Sequence, residues 1–279
     1  MTDLQLADIG VNLTDKRFHQ DREAVLERAA QAGIRWQLLT GTSVANSRQA
    51  LELANQYPQL FATAGIHPHE ARHFSVSALN DLREMANSAQ VRAIGETGLD
   101  FNRDFSPRPD QEKAFASQLE LACQLGLPVF LHQRDAHPRF LPILREYRDQ
   151  LVDAVVHCFT GSRAELFDYL DLDCHIGITG WLCDERRGGE LRGIVANIPA
   201  NRLLAETDSP YLIPRNAKQQ AAIKGRNEPA LLPWVINALA ECRAESADQV
   251  ARASYANSCR VFRVEDFPAI AQVDSPTKA

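Results

Sequence analysis

The sequence predicts a single α/β domain folded as a (β/α)8 barrel of the metal-dependent hydrolase type, and three observations point to the barrel. Eight short apolar runs recur along 279 residues, amphipathic stretches separate them, and the runs do not alternate apolar with polar residues. Strands covered by helices on both faces of a parallel sheet read that way. A regular succession of such strands and helices closes into a barrel. An open doubly wound sheet is the rival, but it usually carries a Gly-rich phosphate loop after its first strand. The stretch DIGVNLT offers no G-x-G-x-x-G there.

In chain order the runs are LADIGVNL (6–13), RWQLLTGT (35–42), LFATAGIHP (60–68), VRAIGETGLD (91–100), PVFLHQR (128–134), DAVVHCFTG (153–161), HIGITGW (175–181) and RLLAETDSPY (202–211). Helical spacing of apolar residues marks DREAVLERAAQAG (21–33), QEKAFASQLELACQLG (111–126) and SRAELFDYLDLD (162–173). Gly33 and Gly126 stand where a helix C-cap favours glycine. No linker or internal repeat divides the chain, so residues 1–263 are expected to form one domain. Residues 264–279, with Pro268 and Pro276 and little periodicity, are expected to be a loose tail.

Composition excludes several function classes. A net charge of −6 argues against a broad electrostatic footprint on duplex DNA. No apolar run is long enough to span a membrane, and the opening MTDLQLADIG lacks a basic region followed by an apolar stretch. Six cysteines without a C-x-x-C pair suit reduced thiols, so a cytoplasmic protein is expected. Nothing points to an obligate protein partner.

Four of the runs end in a side chain able to hold a metal. They are Glu96 in the fourth, His132 in the fifth, His157 in the sixth and Asp208 in the eighth. In a βα barrel the C-terminal strand ends converge on one face, where active sites are built. Two imidazoles and two carboxylates meeting there would suit a divalent cation, whereas burying them unpaired would be costly. Such an ion polarises phosphoryl or carbonyl oxygens and acidifies water.

These residues also carry a resemblance. The segments G95-E96-T97-G98-L99-D100, L131-H132-Q133-R134-D135-A136, V156-H157-C158-F159-T160-G161, E206-T207-D208-S209-P210-Y211, R226-N227-E228-P229 and G65-I66-H67-P68-H69 resemble, in order, the signatures of the TatD family. The likeness runs from about Asp8 to Phe262. It implies a metal-dependent deoxyribonuclease with 3′ to 5′ exonuclease action on single-stranded DNA and a part in DNA repair, RNA being left open. It also implies a departure: where many members read Asp-x-His-x-His, this chain reads Asp8-Ile9-Gly10-Val11-Asn12. Losing two imidazoles leaves an oxygen-richer donor set, which favours Mg2+, with Mn2+ or Zn2+ as alternatives, over a dinuclear zinc pair.

On this reading Glu96, His132, His157 and Asp208 hold the metal, and Asp208 and Glu96 are the catalytic pair, with Asp208 as general base. His67 and His69 face the mouth outside the metal's immediate ligands and contact phosphate. Arg226 is a candidate phosphate clamp, Glu228 orients it, and Trp181 is a candidate stacking surface. The same metal site could instead hydrolyse another ester or an amide, although Glu96 stands where amide hydrolases of this type often carry a bridging lysine. A catalytically silent scaffold is the non-enzymatic alternative.

Overall fold

A computed structural model describes residues 4–217 and 225–265. Most of the expected tail therefore lies outside the described residues. Eight parallel strands follow one another around the sheet: β1 (Leu6–Val11), β2 (Ile34–Leu39), β3 (Leu60–Ala64), β4 (Val91–Asp100), β5 (Val129–Arg134), β6 (Ala154–Val156), β7 (His175–Ile178) and β8 (Leu203–Ala205). The sheet closes between β1 and the segment after β8, where Val11 pairs with Ser209 and the Asp208 amide donates to the Gly10 carbonyl at 2.8 Å. The fold is the (β/α)8 barrel that the sequence predicts.

The outer ring holds α1 (Arg22–Gln31), α2 (Val44–Ala54), α3 (Val76–Met85), α4 (Arg108–Leu125), α5 (His137–Tyr147), α6 (Arg163–Asp171), α7 (Gly189–Ile194), α8 (Leu232–Arg243) and α9 (Ala247–Phe262). Serine N-caps open several of them, and α6 and α9 carry full capping boxes, Ser162 with Glu165 and Ser246 with Gln249. Gly126 ends α4 in the left-handed conformation (φ 62°), the C-cap expected of it.

Alternate strand residues, among them Ile9, Trp36, Phe61, Phe130 and Leu204, form one buried cluster with Val261 and Phe262 of α9. The Trp36 ring meets Phe61 and Phe262 edge-on at 5.9 and 6.1 Å, so α9 joins the layer that fills the barrel. Phe130 belongs to that layer and lies 4.6 Å from the ring of His157. The apolar filling is thus the floor on which the polar groups of the mouth rest.

Two strands run past the residue at which the sequence reading ended them, β5 continuing beyond His132 to Arg134. The fourth strand does not end at Glu96 but runs on to Asp100. Gly95 and Gly98 permit this with φ of 146°, and a Cβ on Gly98 would collide with the His132 carbonyl. β4 and β5 therefore pack closely along their whole length, register shifting between Gly95 and Thr97. Glu96 consequently lies inside the strand, and a second carboxylate, Asp100, occupies its end.

Candidate metal and active site

The C-terminal strand ends open into a cavity of about 760 Å³, lined by Glu96, His67, His132, His157 and Asp208 among others. Three imidazoles brought by three different strands approach one oxygen, Oε1 of buried Glu96. His157 Nε2 lies at 2.7 Å, His132 Nδ1 at 2.9 Å and His67 Nε2 at 3.4 Å. Four groups far apart in sequence meet because β3, β4, β5 and β6 are consecutive neighbours in the barrel.

Outer carboxylates orient two of these rings. His132 turns Nε2 to Asp100 Oδ2 at 3.3 Å, and His157 turns Nδ1 to Glu206 Oε2 at 3.3 Å. With those nitrogens carrying protons, a tautomer assigned from their partners, His132 Nδ1 and His157 Nε2 would turn lone pairs toward a cation seated beside Glu96, once that cation displaces the protons they share with the carboxylate. Carboxylate–imidazole pairs of this kind commonly stand behind a metal. Ligand atoms of His67, Glu96 and His132 all lie within 4.8 Å of one another, close enough to hold an ion. His67 differs from the other two rings, however. Its Nδ1 accepts from the His69 amide at 3.1 Å, which places the proton of the neutral ring on Nε2 and makes that atom a donor. Of the residues expected to hold a metal, Glu96 and His132 belong to that close group and His157 does not, while His67, which does, presents a hydrogen-bond donor toward Glu96.

The electrostatics agree with a cation-ready cluster. Burial acts to raise Glu96, yet without a cation the neighbouring His67 and His157 rings and the hydrogen bonds donated by His132 and His157 hold it well below the usual carboxylate range, so those two protons stand where a cation would. Burial opposes charge on His157, but Glu96 and Glu206 lift it well above an ordinary histidine. On His67 burial prevails over the attraction of Glu96, lowering it to about 4 and keeping it neutral. Asp208 is pushed up to about 7 by its burial and accepts a 3.1 Å hydrogen bond from the Asn12 amide. Cys158 also lines the cavity, but burial raises its thiol to about 12, so it offers no thiolate.

Glu206 is the residue that sequence reasoning passed over in favour of Asp208. It is wholly buried, accepts from the Cys158 amide at 2.5 Å, and fits against two glycines. A Cβ on Gly10 would run into its Oε2, and a Cβ on Gly177 would lie 2.5 Å from its Oε1. Position 10 therefore has no room for a ligand while Glu206 holds this place. The available signal was its position, directly after the apolar β8, where any charge must find a partner. Asp100 was passed over for a different reason, since the fourth strand was read as ending at Glu96.

The remaining expected residues fall in different places. His69 lies at the mouth with Nε2 2.8 Å from Asp100 Oδ2, and half-buried Trp181 lines the cavity with Arg187 at 4.3 Å and Arg134 at 5.5 Å from its ring. Arg226 requires a correction. It does not line the cavity but is buried over the Phe18 ring at 4.6 Å. Its fork is taken up by Glu228 at 2.8 Å and Asp21 at 2.7 Å, and Arg28 grips Glu228 from the other side at 2.8 Å. A guanidinium so engaged ties α1 to the loop beyond β8 and has no free edge for phosphate.

A (β/α)8 barrel with imidazoles and carboxylates gathered at its C-terminal mouth is the architecture of the metal-dependent hydrolases. Within that class, residues 7–263 match the family described as TatD related DNase, and the chain belongs to that family. It is 52% identical over 258 residues to the 3′-5′ ssDNA/RNA exonuclease TatD of Pectobacterium parmentieri, covering 92% of this chain and 99% of that one. The protein of the same name from Salmonella typhimurium is 48% identical, with 92% and 98% covered. Among solved structures, the TatD homolog YJJV of Escherichia coli K12 superposes with a TM-score of 0.86 at 31% identity, over 94% of this chain and all of that one. Among the described residues no helix is long and apolar enough to cross a membrane.

Proposed function

We propose that this chain is a metal-dependent exonuclease that removes nucleotides from the 3′ ends of single-stranded DNA or RNA, with Mg2+ as the working ion and Mn2+ able to replace it. One observation carries the reading: His132 and His157, each backed by its own carboxylate, turn Nδ1 and Nε2 respectively toward Glu96 in a mouth also lined by Asp208. The names of the relatives at about half identity support the polarity and the substrate class.

Glu96, His132 and His157 would hold the cation, with Asp208 at its edge. When bound, the cation supplies Lewis acidity toward a phosphoryl oxygen and acidifies water. Asp208, favoured in its ionised form once a cation sits beside it, would take the proton from the attacking water, and the Asn12 amide fixes the carboxylate for that transfer. His67 is neutral and presents Nε2–H, so it donates to a phosphoryl or leaving oxygen. Glu206 and Asp100 touch no substrate; they hold His157 and His132 in the ligating tautomer. Two imidazoles without thiolate or a third histidine leave a set that hard cations share with water, which supports Mg2+ or Mn2+ over a zinc pair.

The test is digestion of 5′-labelled single strands by metal-stripped protein, with Mg2+, Mn2+ or Zn2+ added in turn. A ladder shortening from the 3′ end with Mg2+ is expected. Products of internal cleavage, or turnover only with zinc, would refute the assignment of polarity or of ion.

A further inference from the structure

Large apolar side chains with more than a third of their surface exposed number five among the described residues, and two of them line the mouth. Phe105 is 52% exposed and Tyr211 is 50% exposed. Each is braced. Tyr211 rides on the turn that carries Asp208, its amide donating to the Asp208 carbonyl at 3.0 Å. Arg17 lies 4.4 Å from the Tyr211 ring centroid, and Asp15 grips that guanidinium through two 2.9 Å bonds. Phe105, beyond β4, meets the ring of His69 at 4.7 Å, and Asp100 fixes His69 at 2.8 Å. In an eight-stranded barrel, β4 and β8 lie four strands apart, so the two rings stand on opposite arcs of the rim of the cavity that Glu96 and Asp208 also line.

We propose that Tyr211 and Phe105 are the two walls of a subsite that grips the terminal bases of a single strand and so brings the phosphate over Glu96 and Asp208. This rests on the nuclease reading above and goes beyond it by naming what selects unpaired ends. A base within a duplex has its faces covered by its neighbours, whereas successive unpaired terminal bases can each offer a face to one of the rings. Every base has such faces, so stacking holds a strand without reading its sequence. The cation beside Tyr211 matches the usual pairing of ring and positive charge along a single-stranded path. Because neither wall needs the sugar 2′ position, DNA and RNA ends are gripped alike.

The experiment compares steady-state digestion of single strands that end in ordinary nucleotides with strands whose terminal nucleotides are abasic. Tyr211→Leu and Phe105→Leu should each raise KM on ordinary ends by about 5- to 150-fold, the range of base stacking on one aromatic ring. On abasic ends the same variants should change KM little, and Tyr211→Phe should restore the wild-type value. Binding of a fluorescent strand in chelator, where nothing is cut, should weaken by the same ratio. Leu variants with wild-type KM would overturn the proposal, as would equal losses on ordinary and abasic ends or a Tyr211→Phe variant as weak as Tyr211→Leu. Wild-type protein that digests no single strand would sink the nuclease reading with it. Wild-type digestion with unaffected Leu variants would remove the subsite alone.

Discussion

Replacing Glu206 with glutamine tests whether the outer carboxylates make the metal site. Glu206 presents one oxygen to the Cys158 amide at 2.5 Å and the other to His157 Nδ1 at 3.3 Å, both as acceptors. Glutamine has only one acceptor end. If its carbonyl serves Cys158, its NH2 faces His157 Nδ1, which must then accept, and the ring proton moves to Nε2, the atom turned toward Glu96. If the amide is reversed, two donors face each other at Cys158 in a buried place, at a cost of about 1–3 kcal/mol. Loss of such an outer partner typically lowers metal affinity by about 10- to 100-fold, or about 1.4–2.7 kcal/mol. Glu206→Gln should therefore bind Mn2+ about 10- to 100-fold more weakly in calorimetric titration of metal-stripped protein, with an unchanged circular dichroism spectrum. Wild-type affinity in a folded Glu206→Gln variant would refute the tautomer argument, whatever the activity.

Asp8, wholly buried, is held by the Thr207 amide at 2.8 Å, and burial raises its pKa from 3.8 to about 8. A carboxyl raised on folding contributes its full stability below about pH 4 and loses it as pH climbs toward 8. Between pH 5 and 8 the wild type should lose up to about 4 kcal/mol from this group that Asp8→Asn does not lose. Urea unfolding in chelator at both pH values measures the swing, and a constant difference would contradict a protonated Asp8. Arg226→Met strips Asp21 and buried Glu228 of a partner, and should cost about 3–5 kcal/mol, nearer the lower figure because Arg28 still holds Glu228. It should leave the salt dependence of single-strand binding unchanged, whereas removal of a phosphate contact would reduce the slope by about 0.7.

The barrel was legible because its signal is local: strands covered on both faces read as unbroken apolar runs, and all eight fell where the structure has them. Glu96, His132, His157 and Asp208 were legible as exceptions to that apolarity. What escaped depends on contacts across the barrel. Gly10 read as a missing ligand, but the carboxylate that fills its place comes from beyond β8, and no local pattern ties position 10 to Glu206. His67 and Asp100 acquire their parts only when β3, β4 and β5 align, Asp100 reaching His69 and His132 at once. Arg226 followed a motif, yet its fate was set by Asp21 and Phe18, about two hundred residues earlier, against which the loop folds.

Anomalous diffraction from a crystal of the protein soaked in Mn2+ bears most directly on the cation site. The geometry predicts a peak within bonding distance of Glu96, His132 Nδ1 and His157 Nε2, with His67 Nε2 hydrogen-bonding nearby and not coordinating. A peak ligated by His67 in place of His157, or one seated away from Glu96, would contradict the arrangement from which the chemistry was derived.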